Sequence, residues 1–170
     1  MSYVSSKQPD GTPTWIDLNV TDHERALEFY RALFGWEYAV GPVESGSYTM
    51  CLLRGRPVAA ITPAPGPDAT GPRWTVYFAA EDCDAAAQRV VDAGGTLLTA
   101  PTDIMDRGRM ALAKDPVGSR FGLWQGRAHV GCQIVNEPGS LIRNDLVTPS
   151  RRIATITDPL GTEFSVIARP

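Results

Sequence analysis

The residues most able to do chemistry alternate along one short run, TWIDLNV (14–20), where Trp15, Asp17 and Asn19 fall at every second position. In an extended strand that spacing puts all three on one face and leaves Ile16, Leu18 and Val20 on the other. A carboxylate and a carboxamide turned inward need partners there, either neighbouring strands and water or a bound molecule. Desolvation raises a carboxyl pKa, so Asp17 is the candidate general acid or base. A second alternating run, WTVYFAA (74–80), places Thr75 and Tyr77 on one face in the same way. With Trp124 from a later strand, Trp15 and Tyr77 would stack on a flat ligand, while Asn19 and Thr75 line the same surface. Core packing is the plainer role of each aromatic taken singly.

Other chemistries find little support. There are two histidines, His23 in the first turn of an expected helix and His129 in the outgoing GRAHVGC. Both are expected at solvated positions, and neither has a partner at ligand spacing. No nucleophile motif adjoins either one, which argues against serine–histidine or cysteine–histidine catalysis. Cys83 would have a lowered thiol pKa if exposed at a helix N-terminus, but a small buried filler is the plainer reading. Arg107 and Arg109 flank a strand, where they would meet either an anionic group at a cleft mouth or water.

The elements that hold these residues follow from the pattern around them. Thr21 and Glu24 fit a capping box, with Asp22 adding negative charge at the helix N-terminus. Ala26, Phe29, Tyr30, Leu33 and Phe34 then recur at helical spacing as one apolar stripe, stopped by Gly35. That stripe is expected to pack on Ile16, Leu18 and Val20. Residues 47–55 and 57–64 read as a hairpin turning at Arg54-Gly55-Arg56. Residues 63–72 pack four prolines and two glycines into ten positions and read as a linker. Beyond it the opening pattern returns: a strand from Trp74, a cap at Asp82, a helix ending in Gly94-Gly95, and a strand from Thr96. A hairpin over 109–125 follows, turning at Asp115-Pro116-Val117-Gly118. Two modules, 13–64 and 73–127, thus compose one domain at 13–130, preceded by a loose arm at 1–12. Paired, they give an α+β fold: a curved mixed sheet with helices outside and a cleft lined by Trp15, Asp17, Asn19, Thr75 and Tyr77.

The run D-x-x-x-A-x-x-F-Y-x-x-x-F-G-W (Asp22, Ala26, Phe29, Tyr30, Phe34, Gly35, Trp36) resembles the first module of the glyoxalase / bleomycin-resistance / extradiol-dioxygenase superfamily. The late A-x-x-x-D-P-x-G-x-x-F (Ala111, Asp115, Pro116, Gly118, Phe121) resembles the turn before that superfamily's final strand. The resemblance implies paired βαβββ modules around a ligand cleft and leaves the reaction open, because one scaffold hosts many chemistries. It also implies where metal ligands would stand: a cleft-facing His or Gln on the first strand of each module, and a Glu on the last. Those positions hold Trp15, Thr75, Gly122 and, near the remaining point, Ala60. None supplies an imidazole or a carboxylate, and an open catalytic site still needs about three protein ligands. No metal and no cofactor are expected.

Residues 131–170 hold a further repeat. RMALAKDPVGSRFGLW (109–124) aligns without gaps to RIATITDPLGTEFSVI (152–167), with Ser165 at the position of Gly122. Before it, 139–150 resembles the first strand of another module, yet no helix follows. The tail therefore looks like the beginning and end of a second copy of the domain, and the resemblance implies relatives with two full copies in tandem. Such strands would add to a sheet, on their own domain or on a second chain as a homodimer.

The formal net charge of −3 and pI near 5.3 argue against a broad nucleic-acid surface. No run approaches membrane-spanning length, and three scattered cysteines fit a reduced, cytosolic setting. The expected function is metal-free binding of a small, partly apolar or aromatic molecule, such as an antibiotic or metabolite. Two alternatives stand beside it. One is a metal-independent lyase, isomerase or hydroxylase using Asp17; the other is an interaction module with an empty cleft.

Overall fold

The computed structural model of the chain describes residues 2–42, 46–64 and 72–146, and by backbone alone the strands at 153–157 and 163–167. Most of the linker expected at 63–72 lies outside the described residues, as does the turn of the tail hairpin.

The first module runs β2 (Pro13–Val20), α1 (His23–Phe34), β3 (Glu37–Val40), β4 (Thr49–Leu53) and β5 (Arg56–Pro63), after a short β1 (Ser2–Tyr3). The second runs β6 (Arg73–Ala79), α2 (Cys83–Asp92), β7 (Thr96–Ile104), β8 (Gly108–Lys114) and β9 (Arg120–Gly126). Together they form one mixed eight-stranded sheet in the order β3-β4-β5-β2-β6-β9-β8-β7. Within each module the first strand pairs in parallel with the last, β2 with β5 and β6 with β9. The modules join where β2 and β6 lie antiparallel. This is the expected α+β arrangement of paired βαβββ units.

Two local readings change. The N-cap of α1 is Asp22, whose carboxylate accepts from the Arg25 N–H at 3.0 Å, so Thr21 does not head a capping box. Asp22 wins because an ionised acceptor at the helix N-terminus gains from the dipole as well as from the hydrogen bond. Gly35 ends α1 in the left-handed conformation, as expected. The apolar stripe is also rotated. Ala26, Leu27 and Tyr30 pack on the core of Leu18, Val20, Trp36 and Ile61, while Phe29 and Leu33 remain 58% and 56% exposed. In α2, by contrast, Cys83, Ala86 and Ala87 are buried against Ala111 and Leu123.

After β9 the chain turns back into the sheet. The parallel pairing of β2 with β5 begins only at Asp17 and Ala60. Before that point, where β2 and β5 do not pair with each other, the segment 131–134 bridges them: Cys132 N–H donates to Thr14 O at 2.8 Å, and Gln133 N–H to Pro57 O at 2.7 Å. Gly131 adopts φ +111°, and a Cβ there would lie 2.4 Å from Thr14 O, so only glycine allows this approach. Ile134, within β10 (Ile134–Val135), is fully buried in the first module's core. The arm expected to be loose is tied to this segment: β1 pairs with β10, and Val4 N–H donates to Gln133 O.

The tail keeps only part of its expected form. β11 (Ile153–Thr157) and β12 (Glu163–Ile167) pair antiparallel with each other, as a sheet of two strands. Ile153 faces Ile167 and Thr157 faces Glu163, the same register in which Met110 faces Trp124 and Lys114 faces Arg120. The strand expected within 139–150 is absent from its described part, where Leu141 makes a single bridge to Val135 and 142–146 are irregular.

Candidate functional site

The strand pairings place the residues expected to line a cleft in rows across the sheet. One row runs Met50–Ala60–Asp17–Thr75. The next, two residues along, runs Trp15–Tyr77–Gly122–Leu112, and a third holds Ala79, Trp124 and Met110. Period-2 alternation sets all of them on one face. Trp15, Tyr77 and Trp124 come together in a buried cluster with Ala60 and Cys132, bordered by half-buried Tyr48, Met50, Met110 and Leu112. Asn19 lies half-buried one row further out, between Thr62 and Arg73.

Asp17 is the polar centre of this face, only 5% exposed. Its Oδ2 accepts from the Tyr77 hydroxyl at 2.8 Å, and its Oδ1 is buried without a hydrogen-bond partner. Among the described residues no cationic side chain pairs with it. Burial therefore lifts its pKa to about 6, against the lowering effect of the Tyr77 and Thr75 hydroxyls. Tyr77 is in turn held well above the usual phenol range, by burial first and then by the Asp17 charge.

Tyr77 owes its position to a missing side chain. A Cβ on Gly122 would stand 2.0 Å from the Tyr77 ring, so the ring occupies the space that any other residue at 122 would fill. The four positions at which the superfamily would hold metal ligands are thus Trp15, Ala60, Thr75 and Gly122, disposed around the Asp17–Tyr77 hydrogen bond. The donor set does not fit a metal ion. A lone carboxylate already bonded to a phenol is the nearest candidate ligand, and no group of three His, Cys, Asp or Glu gathers among the described residues.

The surrounding polar atoms are mostly satisfied. Trp15 Nε1 donates to the Tyr48 hydroxyl at 2.8 Å, and Trp124 Nε1 to His129 O at 2.9 Å. His129 is not solvated as expected. Its ring meets Trp15 edge-on at 4.4 Å and also touches Trp124, and burial pushes its pKa down to about 4. His23 is likewise half-buried, with Nε2 shut off from solvent. Arg109 does not reach the cleft as a free cation: it forms a two-pronged pair with Asp84, at 2.7 and 2.9 Å, and approaches Asp103. Cys83 is fully buried and its thiol is pushed up to about 11, which suits a filler and not a nucleophile.

Tyr48, Met50 and His129 were not predicted as site residues. Tyr48 and Met50 are visible as alternate residues on the hairpin strand, but only the pairing of β4 with β5 aligns Met50 with Asp17. A groove of about 500 Å³ also lies between the arm and β9, lined in part by Lys7, Asp10, Thr14, Glu81 and Trp124. It lacks a buried unpartnered group, so the face around Asp17 is the stronger candidate site.

Residues 12–123 match the Glyoxalase/Bleomycin resistance protein/Dioxygenase superfamily. The chain belongs to this superfamily. It is 44% identical over 153 residues to CFP32, named a glyoxylase, of Mycobacterium tuberculosis, covering 88% of this chain and 59% of that protein. It is 38% identical over 152 residues to the anthracycline biosynthesis protein DnrV of Streptomyces peucetius, covering 81% of this chain and 55% of that one. It spans little more than half the length of these relatives. Methylmalonyl-CoA epimerase of Streptomyces coelicolor shares the fold, with TM-score 0.52 and 19% identity over 68% of this chain and 97% of the epimerase. No helix among the described residues of this superfamily member is long and apolar enough to cross a membrane.

Proposed function

We propose that this superfamily member binds a small, partly apolar or aromatic organic molecule without a metal, sequestering an antibiotic or metabolite. One observation carries the reading. The Asp17–Tyr77 pair sits among the four positions where metal ligands would stand, with one carboxylate oxygen left bare. The walls support it, because Trp15, Tyr77 and Trp124 offer aromatic surface, while Met50 and Met110 have the torsional freedom to part around a ligand. A relative named for anthracycline biosynthesis supports an aromatic ligand class. Two experiments test this reading. Metal analysis of the purified protein should find no stoichiometric ion, and finding one would remove the metal-free reading. Thermal shift against flat aromatic natural products should give stabilisation, since a ligand at a hundred times its Kd adds about 2.7 kcal/mol. A flat response across the panel would leave an interaction module.

The Asp17 pKa near 6 favours a second reading, a metal-independent lyase, isomerase or hydroxylase with Asp17 as acid/base. In that case Asp17→Asn loses turnover and keeps binding. Both readings place the protein in the cytosol, where its three buried cysteines, free in this structure, stay reduced. In both, a homodimer forms through the tail hairpin.

A further inference from the structure

We propose that the group recognised at the floor of this cleft is a protonated amine, carried on an apolar body of aromatic size. The inference rests on the cleft being a ligand site. It starts from a mismatch in the hydrogen-bond inventory around Asp17. A carboxylate can accept at both oxygens, yet the Tyr77 hydroxyl donates to Oδ2 and, with the Thr75 hydroxyl beside it, Oδ1 still has no hydrogen-bond partner. The Tyr48 hydroxyl, which accepts from the Trp15 indole N–H, makes no hydrogen bond to Oδ1. Among the described residues no arginine or lysine forms an ion pair with Asp17; Arg109 is held by Asp84 and Asp103, and Arg127 by Asp103. Asp17 therefore holds its charge on the sheet face that carries the buried rings of Trp15, Tyr77 and Trp124.

That combination selects among ligand chemistries. An isolated ionised carboxylate in an apolar site is costly, and a cation that donates to its bare oxygen removes most of the cost. The same cation gains from neighbouring aromatic faces. A carboxylate or phosphate on the ligand would meet Asp17 with like charge. A neutral hydroxyl would satisfy Oδ1 but leave the charge uncompensated. Met50, in the same row as Asp17 and half-buried, is the side chain whose rotation would admit the amine.

Three probes with one ring system separate these cases: 9-(aminomethyl)anthracene, 9-anthracenemethanol and anthracene-9-carboxylate. Their binding to the full chain is read by quenching of protein tryptophan fluorescence at about pH 7.5, where Asp17 is ionised and the amine protonated. The amine should bind about tenfold or more tighter than the alcohol, with the carboxylate weakest. Asp17→Asn should bring amine and alcohol to within about twofold of each other. Tyr77→Phe, which keeps the carboxylate, should retain the order of the three. Equal binding of the probes, or a carboxylate that binds best, overturns the amine and leaves the cleft standing. Failure of all three to bind overturns the cleft reading itself, and the amine with it.

Discussion

Asp17 titrates near 6 instead of its ordinary 3.8 because burial penalises the anion more than the Tyr77 and Thr75 hydroxyls stabilise it. Between those values the folded protein holds a proton that the unfolded chain has released. This group's contribution to stability is therefore complete below about pH 4 and is lost as pH rises through about 6. Asp17→Asn should be close to neutral at pH 4 and stabilising by up to about 3 kcal/mol at pH 7.5, relative to the parent. Urea midpoints of both proteins at the two pH values check this, and a difference independent of pH would refute it. Gly122 makes the complementary case. Gly122→Ala drives a methyl into the Tyr77 ring, so it should cost about 1–3 kcal/mol in urea unfolding and displace the Tyr77–Asp17 hydrogen bond. Spacing put Trp15, Asp17 and Asn19 on one face of their strand and Thr75 and Tyr77 on one face of another, and the pairing of the modules joined them. Spacing did not reveal that a glycine makes room for the tyrosine, because that contact spans two strands forty-five positions apart in sequence.

At the scale of elements, the two modules repeat their pattern and bury it differently. Aligning Asp22 with Asp82 sets Phe29 and Leu33 of α1 on Arg89 and Ala93 of the second module. The apolar pattern on α1 covers more than one side of the helix, so periodicity fixed a helix but not its rotation. Packing decided it: Leu27 and Tyr30 meet the sheet, and Phe29 and Leu33 face out. We expect Phe29→Gln with Leu33→Gln to change stability by no more than about 0.5 kcal/mol, whereas Leu27→Ala alone costs about 1–3 kcal/mol. Thermal or urea unfolding distinguishes them, and the reverse ranking would contradict the rotation. The segment 131–134 was legible only as a way out of the domain. Its role as a bridge between β2 and β5 arises from backbone carbonyls left open on two strands, which no local pattern records.

For the whole molecule, the tail hairpin repeats the register of β8 and β9, and among the described residues it has no flanking strands such as β7 and β6 provide. A two-stranded hairpin alone is marginal in water, so it should be stabilised by joining a second chain. Light scattering should find a dimer for the full chain and a folded monomer for a chain ending at 146, since residues before that point build the three described cores. Two monomers would exclude exchange through the tail. The sequence by itself determined the two repeated patterns, their turns and the Asp82 cap, the α+β class and which residue types stand at the four positions compared with metal ligands. Those depend on period, turn chemistry and residue type, which are local. Only the tertiary structure decided that Asp17 keeps one oxygen without a hydrogen-bond partner, that His129 packs against Trp15, and that the outgoing chain bridges β2 and β5. Each of these depends on which distant backbone atoms meet and on what they shut away from water.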